Sequence, residues 1–506
     1  MQTIKSISHI TGANSIEESV GPGGSGMTWY PKLLSVLLWF IPLAALLFVI
    51  GYFAVGDLLS EPLPGIRGGL IPVFLAAGVL LLVFSMRSPL PVTYLVPLYL
   101  IAMLWGYFYQ LALLWDAPPG ASLIRSTFYL LLLLALILFL IPRPISRRYL
   151  LVAAGWILVN LLSILGNNAP DSVIMLYIIG VVMPAVFFLA LYPFFKVGGS
   201  LQRLSGAITI GVVGFLAGLI ILTFLATAVK EYGSIGLARN ASDLNYAAGV
   251  IFLSWPFLFW RLNSRPVLWR VIIVGVTLLA CILSFSRTVF VLGGLLAVVT
   301  FLRPSMLRNK KFILAVIILI VVLSFFVSGQ VSNLWLGRLS LPSWADLVSF
   351  DPDRLSAFMS TGRPEIWSFA VSSFYDAPLT GNGLGSFSTL MLEETGGTAG
   401  YSGAHSLILT VLAERGLISA IFIAGMLIFI WIKLLWMWRS EAGRGREFFF
   451  LAAAGFTCFL VAAHSLGAEM LNSGTMFVHS TISILMMVYL GILLSWPAIK
   501  RSLPES

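Results

Sequence analysis

Hydrophobic residues in this chain fall in long unbroken runs, with polar residues confined to the gaps between them. A run of about 20 apolar residues crosses the roughly 30 Å of bilayer hydrocarbon as an α-helix, the form that satisfies its own backbone hydrogen bonds there. About 14 such runs can be marked, at approximately 33–55, 68–86, 91–114, 123–141, 149–166, 172–194, 206–229, 244–260, 269–285, 287–303, 312–328, 417–438, 447–468 and 474–496. The tightest junction is at Arg287, where two short runs meet with almost no loop. A transmembrane β-barrel would show short alternating segments instead. The pattern predicts an all-α polytopic membrane protein.

Composition agrees. The 506 residues are 59% hydrophobic and 10% charged, with a mean hydropathy of +1.00, which excludes a soluble domain of this size. Cys281 and Cys458 both lie inside apolar runs, where packing is their expected role. A net charge of +10 would suit a nucleic-acid binder, but its distribution points to topology. With the N-terminus in the cytoplasm, the inner segments and adjoining span ends hold 21 of the 30 lysines and arginines, among them Arg143, Arg147, Arg148, Arg261, Arg265, Arg303, Arg308, Lys310 and Lys311. The outer side holds the other 9, with 15 of the 20 acidic residues. This is the positive-inside bias, and it places both termini in the cytoplasm. The first 32 residues include "GPGGSGM" and lack the apolar core of a cleavable signal peptide, so a disordered tail is expected there. The predicted division is a cytoplasmic tail over 1–32, transmembrane helices 1–11 over 33–328, an outer loop over 329–416, helices 12–14 over 417–496 and a second cytoplasmic tail over 497–506.

The outer loop is too long to be mere connection. Arg363-Pro364-Glu365 reads as a helix start, with proline at the first helical position and an acid in the first turn. In the helix that follows, Ser368, Ser372 and Asp376 make one polar stripe, while Ile366, Trp367, Ala370, Val371 and Phe374 cover the rest. Such a helix lies on the membrane or on the helical bundle. "TGNGLG" ends it, a flexible "GGTAGYSG" follows, and a short helix is expected from about Ala404 to Arg415, closed by Gly416.

Candidate chemistry concentrates in the same region. Of four histidines, only His405 lies in the outer loop, in the expected first turn of its helix. The positive end of the helix dipole favours a neutral imidazole there, which suits a general base; a local hydrogen-bonding role is the alternative. Arg287, ending "LSFSR", sits at the outer boundary, where it would hold an anionic headgroup or diphosphate, or else snorkel to the surface. Arg363, with the free N–H groups of its helix start, makes an anion site. Arg239 and Asn240 could extend that site, and Ser286, Trp367 and Arg354 complete the candidate substrate-binding set. Asn240-Ala241-Ser242 also matches a glycosylation acceptor. His464, Glu469 and His479 would serve a proton relay in a transporter, or simply join helix ends by hydrogen bonds. "GNGLGS" resembles a phosphate loop but lacks its lysine and its preceding strand. Asp351 and Asp353 in "SFDPDR" read as turn chemistry rather than a metal site, and no metal or cofactor is expected.

These residues carry a family resemblance. "SFSR" closing a span resembles the first signature of the bacterial O-antigen ligase and O-antigen polymerase superfamily. "STGRPEIW", "APLTGNGLGSF" and "AHSLILTVLAERGLIS", in that order, resemble its outer-loop signature, so the similarity runs from Arg287 to about Ser419. Ser406 follows His405 where the family often has asparagine. The resemblance implies a GT-C-like helical fold in the bacterial inner membrane, with the active site on the periplasmic face. It also implies transfer of a glycan from an undecaprenyl-diphosphate-linked donor to an acceptor hydroxyl, by a repeat-unit polymerase or a ligase acting on lipid A–core. The implied partners are therefore the lipid-linked donor, a glycan or lipid A–core acceptor, membrane lipid and the rest of a polysaccharide assembly machinery. Carried over by position, Arg287 and Arg363 would grip the diphosphate and His405 would activate the acceptor, with inversion and without a metal. The span count favours a polymerase over a ligase. The rival reading, a polysaccharide flippase or proton-coupled transporter, expects ionisable residues deep in the spans and little ordered structure outside them. A purely structural scaffold would leave the arginine and histidine set unexplained.

Overall fold

The computed structural model describes residues 92–114, 145–165, 177–228, 248–260, 262–283, 287–301, 363–395, 406–465 and 476–501, with a few separate positions between 130 and 143 and at Ile174, Arg303 and Ala404. Every regular element among them is helical. In chain order these are α1 (Val92–Leu114), α2 (Arg147–Leu161), α3 (Met183–Lys196), α4 (Leu201–Ala228), α5 (Ala248–Phe259), α6 (Val267–Leu283) and α7 (Arg287–Phe301). They are followed by α8 (Arg363–Asp376), α9 (Phe387–Glu394), α10 (Leu407–Ser440), α11 (Gly443–Ser465) and α12 (Met476–Arg501). Five stretches of the described residues are long and apolar enough to cross a membrane: Arg147–Ile164, Ile178–Lys196, Leu407–Ser440, Gly443–Ala463 and Ile482–Arg501. Shorter apolar helices overlap the runs marked at 91–114, 206–229, 244–260, 269–285 and 287–303. The runs at 33–55, 68–86 and 312–328 and the tail 1–32 lie outside the described residues, and of 123–141 only short helical pieces are described. The last helix continues to Arg501, past the boundary expected at 496.

In a membrane there is little hydrophobic drive between helices, so close packing at small residues and hydrogen bonds to backbone carbonyls hold the bundle. Both occur. Pairs α1 with α4, α3 with α12 and α10 with α11 pack along their lengths. A methyl at Gly211 would overlap Leu104, and one at Gly491 would overlap Leu191, so each glycine permits a close crossing. Buried hydroxyls and indoles find partners: Tyr489 donates to the Leu253 carbonyl at 2.8 Å, Trp255 to Thr300 Oγ1 at 2.8 Å and Ser419 to the Val159 carbonyl at 3.0 Å. Both cysteines are buried, as packing roles require.

Other bonds mark one end of the bundle. At that end Arg303 pairs with Glu447 at 2.5 Å, Lys500 with Glu441 at 3.0 Å, Trp260 donates to the Arg444 carbonyl at 3.1 Å, and Tyr149 to the Gly491 carbonyl at 2.8 Å. That end therefore gathers several of the basic residues assigned to one side by charge bias. The elements between Arg363 and Glu394 attach at the opposite end of α10, beyond Gly416. Where α11 crosses α5, a methyl on Gly455 would overlap the Phe252 carbonyl. Gly455→Ala is expected to cost roughly 1–3 kcal/mol by overpacking, read as a lower thermal midpoint in detergent.

Candidate functional site

Helix α10 is 34 residues long, about 51 Å at 1.5 Å per residue, which exceeds any bilayer core. It breaks at Gly416, which takes φ 69° and ψ −176°. The break sets a short arm, Leu407 to Arg415, apart from the span that follows, as the glycine's position in the sequence foretold. The arm begins at Leu407, behind an extended Ser406, rather than at Ala404. His405 therefore precedes the helix instead of occupying its first turn, and it lies outside the described residues. The arm's Thr410 Oγ1 accepts the Ala404 N–H at 2.8 Å, which ties Ala404 to the arm.

A helix that breaks leaves its last carbonyls without intrahelical donors. Here the glycine-rich turn supplies them. Asn382 N–H donates to the Ala413 carbonyl at 3.0 Å, Gly383 N–H to the Glu414 carbonyl at 3.0 Å, and Leu417 N–H returns to the Pro378 carbonyl at 2.8 Å. The buried Asn382 side chain donates to the Ser373 carbonyl at 2.5 Å and to the Ala413 carbonyl at 3.1 Å, tying α8 to the arm. Gly381, Gly383 and Gly385 all have positive φ. At Gly381 the approach is so close that a methyl would overlap the Glu414 carbonyl.

The turn is then closed by a side chain that sequence reasoning did not single out. Glu414 is fully buried; its carboxylate accepts the Gly385 N–H at 3.0 Å and the Phe387 N–H at 3.2 Å. These donors stand at the start of α9, where the positive end of the helix dipole favours a carboxylate. Its neighbour Arg415, 3% exposed, donates to the Asn160 side-chain oxygen of α2, and Leu384 N–H donates to the Ser163 carbonyl at 2.9 Å. Two adjacent buried charges thus join the glycine turn on one side and α2 on the other. The available signal was an acid and an arginine side by side in an otherwise apolar helix. The N–H groups of Asn382, Gly383, Leu384 and Gly385 are all taken by protein acceptors, so "GNGLGS" is no phosphate cradle here.

An apolar cluster seals the module. Ile366 and Ala370 of α8, Phe387 and Met391 of α9, and Ala404 and Ala413 pack together, with Phe369 against Phe387 edge-on at 5.4 Å. The sequence pattern does not predict helix α9. It has eight residues, too few to be stable alone, and it forms because Phe387 and Met391, one turn apart, drop into this cluster.

Of the candidate residues, Arg363 is the first residue of α8, one position earlier than the proline signal suggested, and Arg287 is the first residue of α7. Ile366, one turn after Arg363, shares a cluster with Ala404, immediately before His405. The first turn of α8 and Ala404 are thereby brought to one module. Arg287 stands at the opposite end of α7 from Thr300, which meets Trp255, and from Arg303, which follows the helix and pairs with Glu447. Trp367 is on α8 and is 38% exposed. Arg239, Asn240, Ser286, Arg354, Asp351, Asp353 and Glu469 lie outside the described residues; His464 and His479 fall near the ends of α11 and α12 that adjoin it in sequence.

Fold and site together define a helical membrane protein that carries a polar, glycine-built module at one end of its bundle. Residues 272–424 match the family model described as O-antigen ligase. The matched segment takes in most of α6, all of α7 to α9 and the arm of α10, and it supports the O-antigen ligase and polymerase superfamily that the motifs resemble. No curated protein matches the chain.

Proposed function

We propose that this protein transfers a glycan from an undecaprenyl-diphosphate-linked donor to an acceptor hydroxyl at the outer face of the bacterial inner membrane. The observation that carries the reading is the arm of α10: it holds the chain on either side of His405, the glycine turn and the Arg363 helix in one module, inside the segment that matches O-antigen ligase. In this reading His405 takes the proton from the acceptor hydroxyl, whose oxygen attacks the anomeric carbon as the bond to the diphosphate oxygen breaks. The carbon inverts, and Arg287 and Arg363 neutralise the departing lipid diphosphate, so no metal is needed. Arg239, Asn240, Ser286, Arg354 and Trp367 line the approach of the donor. The fold is GT-C-like with about 14 spans, both termini are cytoplasmic, and 329–416 is the periplasmic catalytic loop. The acceptor is another lipid-linked glycan for a polymerase, or lipid A–core for a ligase.

Glycan-profile complementation tests this. Wild type, His405→Ala, Arg287→Ala and Arg363→Ala, at matched membrane levels in a deletion strain, are expected to differ sharply. Each variant should lose on the order of 100-fold in transfer rate, the typical consequence of removing one transition-state contact. Single-repeat products in the deletion strain identify a polymerase, and long unattached lipid-linked chains identify a ligase. Wild-type profiles from all three variants would show the residues to be structural.

A further inference from the structure

Helix α8 has three sides rather than the two its sequence suggests. One arc, Ile366, Phe369, Ala370 and Ser373, packs into the module. A polar arc of Glu365, Ser368, Ser372 and Asp376 is exposed, its hydroxyls satisfied within the helix by the Glu365 and Phe369 carbonyls. Between them runs a third arc, spaced four apart, that is apolar and uncovered: Trp367, Val371 and Tyr375, the last 73% exposed. At 100° per residue these three positions fall within 80° of one another, and no charged residue lies among them.

The arc does not end with the helix. Leu379 follows it, 59% exposed, and the preceding Pro378 carbonyl accepts the N–H of Leu417, the first residue of the span beyond Gly416. Leu417, Ile418 and Ile421, all exposed, begin the uncovered face of that span, which continues through Ile428, Phe429 and Ile432. In a membrane-crossing helix such a face meets lipid. The α8 arc is its continuation, and a tryptophan and a tyrosine are the side chains that settle where hydrocarbon gives way to headgroups. We infer that α8 is an interfacial helix: its Trp367–Val371–Tyr375 flank is seated in the headgroup boundary of the membrane leaflet at that end of the span, its serine flank faces water, and its third side holds the module. The glycine turn is thereby fixed at the membrane surface, where a ligand with a lipid tail and a polar head presents its junction. The inference stands apart from the transfer chemistry above, since it concerns depth and not reaction.

Depth can be measured directly. Single cysteines at 368, 371, 372 and 375 are introduced into the full chain, whose native thiols are buried, and spin-labelled after reconstitution into phosphatidylethanolamine–phosphatidylglycerol vesicles. The unsubstituted chain gives the background. Collision with dissolved oxygen, which concentrates in lipid, is compared with collision with a water-soluble nickel complex. Labels from Val371→Cys and Tyr375→Cys are expected to favour oxygen strongly, and those from Ser368→Cys and Ser372→Cys the nickel complex. Equal nickel access at all four sites would put the arc in water and overturn the inference. So would immobilised labels at 371 and 375 closed to both reagents, which would mean that protein covers the arc. Should Tyr375→Cys fail to insert, Leu379→Cys reads the same flank. Transfer activity does not enter the readout, so failure here leaves the proposed reaction untouched, and loss of that reaction leaves the depth measurement valid.

Discussion

Glu414→Ala is expected to abolish glycan transfer while the protein still reaches the membrane, with a lower thermal midpoint in detergent. The substitution leaves the buried N–H groups of Gly385 and Phe387 without their acceptor, at about 1–3 kcal/mol each. It also takes the neighbouring negative charge from Arg415, a guanidinium that is almost wholly buried, and an uncompensated buried charge adds to the loss. The damage is local in kind, because the turn and α9 are what the carboxylate holds, while the helices at the opposite end have their own ion pairs. Glu414→Gln retains one acceptor oxygen and turns an amide towards the second N–H, so an intermediate midpoint and a weak glycan ladder are expected. Thermal midpoints of purified protein, set beside gel profiles from complemented cells, check both. A full ladder and an unchanged midpoint from Glu414→Ala would mean that the turn is held by other contacts.

Gly381→Ala should be nearly as damaging, for a steric reason. Its φ of 74° already strains a side chain, and the added methyl would overlap the carbonyl of Glu414. The strained backbone costs roughly 1–3 kcal/mol, and displacing a backbone held on both sides adds a comparable overpacking cost. Gly425 provides the control. It lies within α10, and a methyl there meets nothing within 4 Å. Gly425→Ala is therefore expected to be neutral, or to stabilise by up to about 1 kcal/mol through helix propensity. Equal midpoints for the two alanine variants would contradict the close approach of the turn to the arm.

Much of this was legible locally. Apolar runs mark spans because a helix in lipid must be apolar for its full length, and the described helices other than α8, α9 and the arm of α10 fall on those runs. Gly416 announced the break in α10, and Pro364 announced the start of α8, since both act through backbone geometry that needs no distant partner. The glycine cluster announced the turn in the same way. The amphipathic pattern of α8 is visible in the sequence, but that pattern does not divide its apolar side. Only packing shows that Ile366 and Ala370 face the module while Trp367, Val371 and Tyr375 face away.

Hydropathy, proline and glycine mark the class of protein and the location of its polar module, because each acts within a few residues of where it stands. How that module is held depends on partners distant in the chain. Asn160 and Arg415 meet across 255 positions, Gly385 and Glu414 across 29 and Ala404 and Thr410 across 6. Helix α9 exists because a cluster assembled from three segments accepts Phe387 and Met391. A buried charge is tolerable only where donors or an opposite charge surround it, and those partners come from elements that no local pattern connects.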